Sequence, residues 1–158
     1  KGSTDAGEGH PGALFSLTKR SSMKPDVVND PVGYAVEVVG KDPMAAFLGI
    51  AVEEAREGYA RCSVTVKPEY CNAMERAHGA IIHAVADQAF AVACNSTGTT
   101  ALALTLTIHY QTAGLEGERL FAEATPVNTG RKISLWEIKV RGSEDRLIAT
   151  AEGTAYHK

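Results

Sequence analysis

Asp87 stands in the middle of an 18-residue stretch, Ala77 to Cys94, whose other side chains are mostly Ala, Ile, Val and Phe. A carboxylate in such surroundings is costly unless it finds partners, and partial desolvation raises its pKa toward that of a useful base. It either lies on a solvated flank or faces a pocket and does chemistry. His83 lies four residues earlier and so on nearly the same helical face, as a pocket liner or a hydrogen-bond partner of Asp87. Two side chains do not make a metal site, and no metal is expected there. His78-Gly79 opens the stretch. At a helix start the first backbone N–H groups lack intrahelical acceptors and the helix dipole favours negative charge. Just upstream, the ten-residue polar segment Pro68 to Ala77 carries Glu69, Asn72, Glu75 and Arg76. It is longer than a typical connection, which favours a functional loop.

The elements that position these residues follow from periodicity. The stretch from Ala77 to Cys94 is too long for a strand and rich in the best helix former, so it reads as one long helix covered nearly all round. It stops near Asn95-Ser96-Thr97-Gly98. Upstream, Asp30-Pro31 and Asp42-Pro43 each place a cap residue before a proline at the first helical position. Val32 to Val39 is a short helix ending at Gly40, although its Val content also permits a strand; Met44 to Gly49 is a second short helix. Ile50 to Arg56 and Tyr59 to Lys67 are strands joined at Glu57-Gly58, the second placing Ala60, Cys62, Val64 and Val66 on one face. After the helix come four strands: Thr99 to Gln111, Arg119 to Asn128, Lys132 to Arg141 and Leu147 to Tyr156. In the first of these, Leu102, Leu104, Leu106 and Ile108 are expected on one face, opposite Thr105, Thr107 and His109. Residues 1–28 are expected to be a flexible N-terminal segment, and 29–158 a single domain. One helix cannot cover both faces of six antiparallel strands. An α+β architecture follows, with a curved antiparallel sheet wrapped around one long central helix and its convex face or an edge left for a partner.

His78-Gly79-Ala80, Ala86-Asp87 and the run Ala89-Phe90-Ala91-Val92-Ala93-Cys94-Asn95-Ser96, with Asn72 upstream, resemble the pattern of hotdog-fold acyl-CoA thioesterases, PaaI-type subgroup. The resemblance spans about residues 43 to 156 and implies hydrolysis of an acyl-CoA thioester to free acid and CoA. Coenzyme A is then part of the substrate, and no metal or redox cofactor is implied. Aromatic acyl groups are favoured, with medium-chain aliphatic ones open. Ala80 departs from the usual second glycine, but still supplies a backbone N–H. His83 departs from the usual apolar or aromatic residue.

Gly79 and Asp87 are eight residues apart, about 12 Å along one helix. A thioester carbonyl is attacked within about 3 Å of both its polariser and its base, so one chain's pair cannot serve one carbonyl. A two-fold dimer with antiparallel long helices brings Gly79 of one chain to Asp87 of the other and makes two equivalent sites; hotdog thioesterases are similarly built. The Gly79 N–H then stabilises the developing oxyanion, and the missing side chain lets the substrate approach closely. Asp87 is either the nucleophile, through a mixed anhydride, or the general base that activates water. Asn72 holds the attacking water or the carbonyl. His78 either takes part or holds the loop that positions Gly79. Thr105, eighteen residues beyond Asp87, matches a position where related enzymes often place a small polar side chain, and is also simply a good strand residue. Gly130-Arg131-Lys132 resembles a turn that approaches the CoA phosphates, and could equally be an ordinary solvated hairpin. Ile81, Ile82, Val85 and Phe90 either line the acyl tunnel or belong to the core. Trp136 and Tyr156 read as sheet packing.

Composition sets the remaining bounds. The chain has 158 residues, 44% hydrophobic and 22% charged, ordinary for one globular domain. A net charge of −3 gives no electrostatic reason to bind nucleic acid or an anionic membrane. Three cysteines, Cys62, Cys71 and Cys94, include no C-x-x-C pair, and no apolar run is long enough for a membrane span or signal core. A cytoplasmic protein is expected, at least a homodimer by the helix-length argument and a homotetramer by resemblance. Two other functions compete: a hotdog enoyl-thioester hydratase or dehydratase, whose Asp-x-Asn-Pro-x-His segment is missing here, and a non-catalytic acyl-CoA-binding protein, against which the intact Asn72, Gly79 and Asp87 speak.

Overall fold

The computed structural model describes residues 24–158. Residues 1–23, and with them most of the expected N-terminal segment, lie outside the described residues. The described chain opens on a turn in which Asp26 Oδ1 accepts from the N–H groups of Val28 (2.9 Å) and Asn29 (2.8 Å). Both Asp-Pro helix starts form. Helix α1 (Pro31–Tyr34) begins at Asp30, whose carboxylate accepts from the Gly33 N–H, and it runs on as a π-helical turn, Ala35–Val39, that ends at Gly40. Helix α2 (Pro43–Leu48) begins at Asp42, which accepts from the Ala45 N–H at 2.8 Å, and it stops where Gly49 turns left-handed (φ 69°).

Strand β1 (Ala51–Arg56) turns at Gly58 into β2 (Tyr59–Thr65). The loop and helix α3 (Gly79–Asn95) follow, then β3 (Ala101–Tyr110), β4 (Arg119–Thr129), β5 (Ile133–Arg141) and β6 (Leu147–His157). All pairings are antiparallel, in the order β1-β2-β4-β5-β6-β3. Helix α3 touches every one of the six strands, which requires the sheet to curve around it. This is the hotdog arrangement. Ala60, Cys62, Val64 and Val66 point inward as their alternation predicts, and meet Val85, Ala89, Phe90 and Val92 of α3. Phe90 packs against Trp136 with ring centroids 6.3 Å apart. The same ring lies where a Cβ on Gly153 would fall, 2.9 Å from Phe90 Cε1, so β6 passes the helix closely only because residue 153 lacks a side chain.

One expectation about β3 fails. A bulge between Ala103 and Thr105 inserts an extra residue against β6. Parity reverses there: Leu102 pairs with outward-facing Tyr156, while Leu106 and Ile108 pair with inward-facing Gly153 and Ala151. Leu102 and Leu104 are consequently exposed, on a ten-residue strand that is an edge of the sheet. The helix is also less covered than expected: Ala80 and Asp87 are exposed, and His83, Ala84 and Ala91 half-buried, along one stripe of α3.

Candidate active site

The loop before α3 is built around Asn72. Its Oδ1 accepts from the N–H groups of Met74 (2.9 Å) and Arg76 (3.2 Å), and its own N–H donates to Arg76 O. The tight turn takes Glu75 into the left-handed region, φ 57°. With the carbonyl oxygen thus occupied, the Nδ2 of Asn72 donates to nothing among the described residues and is free to bond a ligand.

His78 is the cap residue of α3, in extended conformation with φ −63° and ψ 141°. Its Nδ1 accepts from the Ala80 N–H at 3.0 Å, its N–H donates to Tyr70 O at 2.8 Å, and its carbonyl accepts from the Ile81 N–H at 3.0 Å. The ring therefore holds the loop-to-helix junction. These bonds satisfy the amides on both sides of Gly79, whose own N–H finds no acceptor among the described residues. Gly79 lines a cleft of about 430 Å³ together with Asn72, Met74, Ile82, Tyr110 and Thr112 among others. An unpaired amide at the positive end of a helix, on a cleft with apolar walls, is suited to an oxygen that gains negative charge.

Tyr110, the last residue of β3, was not singled out by sequence reasoning. Its hydroxyl donates to Gly79 O at 3.2 Å, and a Cβ on residue 79 would come within 2.9 Å of that hydroxyl oxygen. The only hint in the sequence is that an aromatic residue ends a strand. Nothing local shows that it will land on the helix start thirty-one residues away.

Asp87 lies two turns further along α3, exposed within the protomer, and its carboxylate makes no hydrogen bond among the described residues. Desolvation by the surrounding protein pushes its pKa above the usual aspartate value; the charge of His83 pulls the other way, and that of Asp42 adds to the rise. Of the helix residues considered for an acyl tunnel, Val85 and Phe90 are wholly buried in the core and Ile81 nearly so, leaving Ile82 to reach the cleft.

The remaining candidates lie elsewhere. Thr105 Oγ1 shares a 2.7 Å hydrogen bond with Thr154 Oγ1 on the outer side of β3 and β6. Arg131 lines a separate cleft of about 390 Å³ with Thr97, Thr99, Gly130 and His157, beyond the C-terminal end of α3. Lys132 Nζ stands 5.4 Å from the centroid of the Tyr156 ring. Burial pushes the thiols of Cys62 and Cys94 up to about 12, and Cys71 is also raised, first by desolvation and then by Glu116 and Glu75, so the surroundings of all three, taken together, disfavour the thiolate. Among the described residues no three His, Cys, Asp or Glu side chains converge as a metal site would need, and no helix is long and apolar enough to cross a membrane.

Several known proteins are similar to this chain in sequence and fold. The family model described as the thioesterase superfamily matches residues 74–149. A protein of Archaeoglobus fulgidus, provisionally named an esterase, is 44% identical over 143 residues, 90% of this chain and 89% of that protein. The acyl-coenzyme A thioesterase PaaI of Escherichia coli is 31% identical over 115 residues, 73% of this chain and 82% of PaaI. The solved structure of that E. coli protein, from the phenylacetic acid degradation operon, superposes with a TM-score of 0.78 at 28% identity, covering 84% of this chain and 96% of the other. The chain belongs to the PaaI-type hotdog thioesterases.

A thioesterase needs a donor for the carbonyl oxygen and a base or nucleophile for the carbonyl carbon. The candidates for these two parts, the Gly79 N–H and the Asp87 carboxylate, stand about 12 Å apart along one helix.

Proposed function

We propose that the chain hydrolyses acyl-CoA thioesters, with aryl or medium-chain acyl groups, at sites shared between two copies of itself. The observation that carries the reading is the division of the machinery within one protomer. Gly79, its N–H without an acceptor among the described residues, lines a cleft with Asn72, while the Asp87 carboxylate stands exposed on the uncovered stripe of the same helix. A second copy with its α3 antiparallel joins the two halves. The two-fold then passes at the level of His83, midway between Gly79 and Asp87. It sets the last turn of one α3 opposite the Asn72 loop of the other. Small side chains at Ala80, Ala84 and Ala91 let the helices come close, and the open edge of β3 with exposed Leu102 and Leu104 supplies further surface to cover.

In such a site the thioester oxygen rests on the Gly79 N–H of one chain, and Asp87 of the other faces the carbonyl carbon. As a base, Asp87 takes a proton from water while the water oxygen bonds to carbon. Charge collects on the oxygen at Gly79, and its collapse breaks the C–S bond and releases CoA thiolate, which recovers the proton. As a nucleophile, an Asp87 oxygen bonds to the carbon, the thiolate leaves, and water cleaves the resulting anhydride. Asn72 Nδ2 orients the water or the carbonyl, His78 holds the helix start, and His83 lies beside Asp87. Arg131, in the cleft beyond the C-terminal end of α3, falls at the level of the second copy's Asn72 loop, which suits it, and Lys132 next to it in the turn, to the CoA phosphates. Thr105, on the outer face of the edge strand, is a site residue only if the second copy brings substrate to that face.

Water is the only co-reactant, so no cofactor is required beyond the CoA of the substrate. Met74, Ile82 and Tyr110 give the cleft an apolar and aromatic lining that fits an aryl group. The pathway in the name of the E. coli relative points the same way. Pairing of two dimers into a homotetramer and a cytoplasmic location, on three unpaired cysteines, complete the proposal. Neither nucleic acid nor membrane is a partner.

The test is release of free thiol from a panel of aryl- and alkyl-CoA thioesters, with Asp87→Asn beside the unsubstituted protein. The proposal expects thiol release that falls by about 10²-fold or more in the variant, with the oligomer intact. Change in enoyl absorbance without thiol release would make the chain a hydratase, and binding without turnover would make it a sensor.

A further inference from the structure

One wall of the Gly79 cleft has little regular structure to hold it. After β3 ends at Tyr110, the N–H groups of Gln111 and Thr112 both turn to Ile148 O, at 2.8 and 3.2 Å. From there to β4 the Thr112 hydroxyl donates to Leu147 O at 2.6 Å, and two further side chains that lie outside the cleft tie the wall. Arg146 donates from Nη1 to Ala113 O (2.6 Å) and Thr112 Oγ1 (3.3 Å), and from Nη2 to both carboxylate oxygens of Glu118 (2.7 and 2.8 Å). The Glu118 side chain is only 3% exposed, and it also accepts from the N–H groups of Leu115 (2.8 Å) and Ser143 (2.7 Å). Burial alone would raise the Glu118 pKa, but those two amides and Arg146 outweigh it and hold the carboxylate below its usual range. The tie continues to the helix: Gly114 O accepts from the Ala77 N–H at 3.0 Å, one residue before the cap of α3.

We propose that Arg146, through Glu118, is a positioning residue that sets the Thr112–Ala113 wall of the cleft against the Gly79 helix start. This rests on the reading of that cleft as a substrate site. A guanidinium is suited to the task because its planar fork bonds a carboxylate with two N–H groups and still has others for a hydroxyl and a carbonyl. A lysine ammonium can neutralise Glu118 but cannot reach all of these at once. The wall touches substrate in ground state and transition state alike, so its displacement weakens binding rather than the chemical step.

The experiment compares Arg146→Lys and Thr112→Val with the unsubstituted protein in thiol release, thermal unfolding and hydrogen exchange of residues 111–115. Arg146→Lys is expected to raise KM roughly 5-fold or more with kcat within about 2-fold, while exchange at 111–115 speeds up. A purely structural role would lower Tm and leave KM alone at temperatures well below unfolding; that result overturns the proposal. If Arg146→Lys does not fold, Thr112→Val decides. It leaves the Arg146–Glu118 pair whole and removes the wall's hydroxyl with its bonds to Arg146 and to Leu147 O, so an unchanged KM and unchanged exchange at 111–115 refute positioning, and a raised KM with faster exchange there supports it. If the unsubstituted protein releases no thiol, the reading as a thioesterase site fails. The exchange arm then judges the wall by itself: unchanged exchange in Arg146→Lys contradicts the positioning, and faster exchange confined to 111–115 upholds it.

Discussion

The Tyr110 hydroxyl donates to the carbonyl of Gly79 at 3.2 Å, and any side chain on residue 79 would collide with that same hydroxyl. The contact joins the edge strand to the start of the central helix, and it makes glycine the only residue that fits without displacing one cleft wall. Gly79→Ala is therefore expected to lower kcat/KM by roughly 10-fold, because the tyrosine must move and the N–H loses its access to the carbonyl oxygen. Steady-state thiol release measures it. A Gly79→Ala protein as active as its parent would remove Gly79 from the site.

Asn72 holds its loop and, in the proposed reaction, also orients water or the carbonyl, and substitution can separate the two. Its Oδ1 holds the loop by accepting from Met74 and Arg76, and its Nδ2 is unengaged. Asn72→Asp keeps both acceptor bonds and loses the donor; Asn72→Ala loses all three. The aspartate variant is expected to unfold within a few degrees of the parent yet turn over about 10-fold more slowly, and the alanine variant to lose stability as well. Calorimetry beside kinetics checks this, and full activity in Asn72→Asp would assign the residue to the loop alone.

His78 spends its Nδ1 on the Ala80 N–H. Asparagine can make the same cap, so His78→Asn is expected to keep most of the activity, whereas His78→Ala loses about 1 kcal/mol of stability with the cap. A collapse of turnover in His78→Asn with an unchanged melting curve would instead give the imidazole a proton to move.

Asp87 is raised above the ordinary aspartate pKa of 3.8, first by desolvation. Activity that needs the carboxylate should then fall on the acid side with a midpoint above that value. The stability effect has the opposite sign. A carboxyl whose folded pKa is raised favours folding most while protonated. That advantage is lost as pH rises through the folded pKa, beyond which the charged carboxylate weighs against the fold. Asp87→Asn should accordingly melt slightly higher than the parent at about pH 7, with the difference vanishing below the unfolded aspartate pKa, while turnover collapses. A lower Tm at neutral pH would show that Asp87 is held by favourable partners.

Much of this was legible in the chain itself. Helix α3, both Asp-Pro helix starts and all six strands follow from periodicity and caps, because each is written in residues within a turn or two of one another. Gly79 and Asp87 stood out as candidates from their place in an apolar helix, and Asn72 from the resemblance and its polar loop; their roles are what the variants above test. What could not be read required tertiary knowledge. The bulge at Ala103–Thr105 turns Leu102 outward without any glycine or proline to announce it. Val85 and Phe90 went to the core, where Trp136 and Gly153 receive the Phe90 ring. Tyr110 reaches the cleft, and Glu118 and Arg146 the outer side of its wall, only because the sheet folds the ends of its strands toward the helix start.

The central claim is that each site takes Gly79 from one chain and Asp87 from the other. Inactive Asp87→Asn and inactive Gly79→Val proteins, unfolded together and refolded as a mixture, test it most directly. Random pairing puts half the dimers in the mixed form, and each mixed dimer carries one intact site, so about a quarter of the parent's thiol release should return. If both residues served the same site from one chain, every mixed dimer would remain defective at both sites, and the mixture would be as inactive as its components.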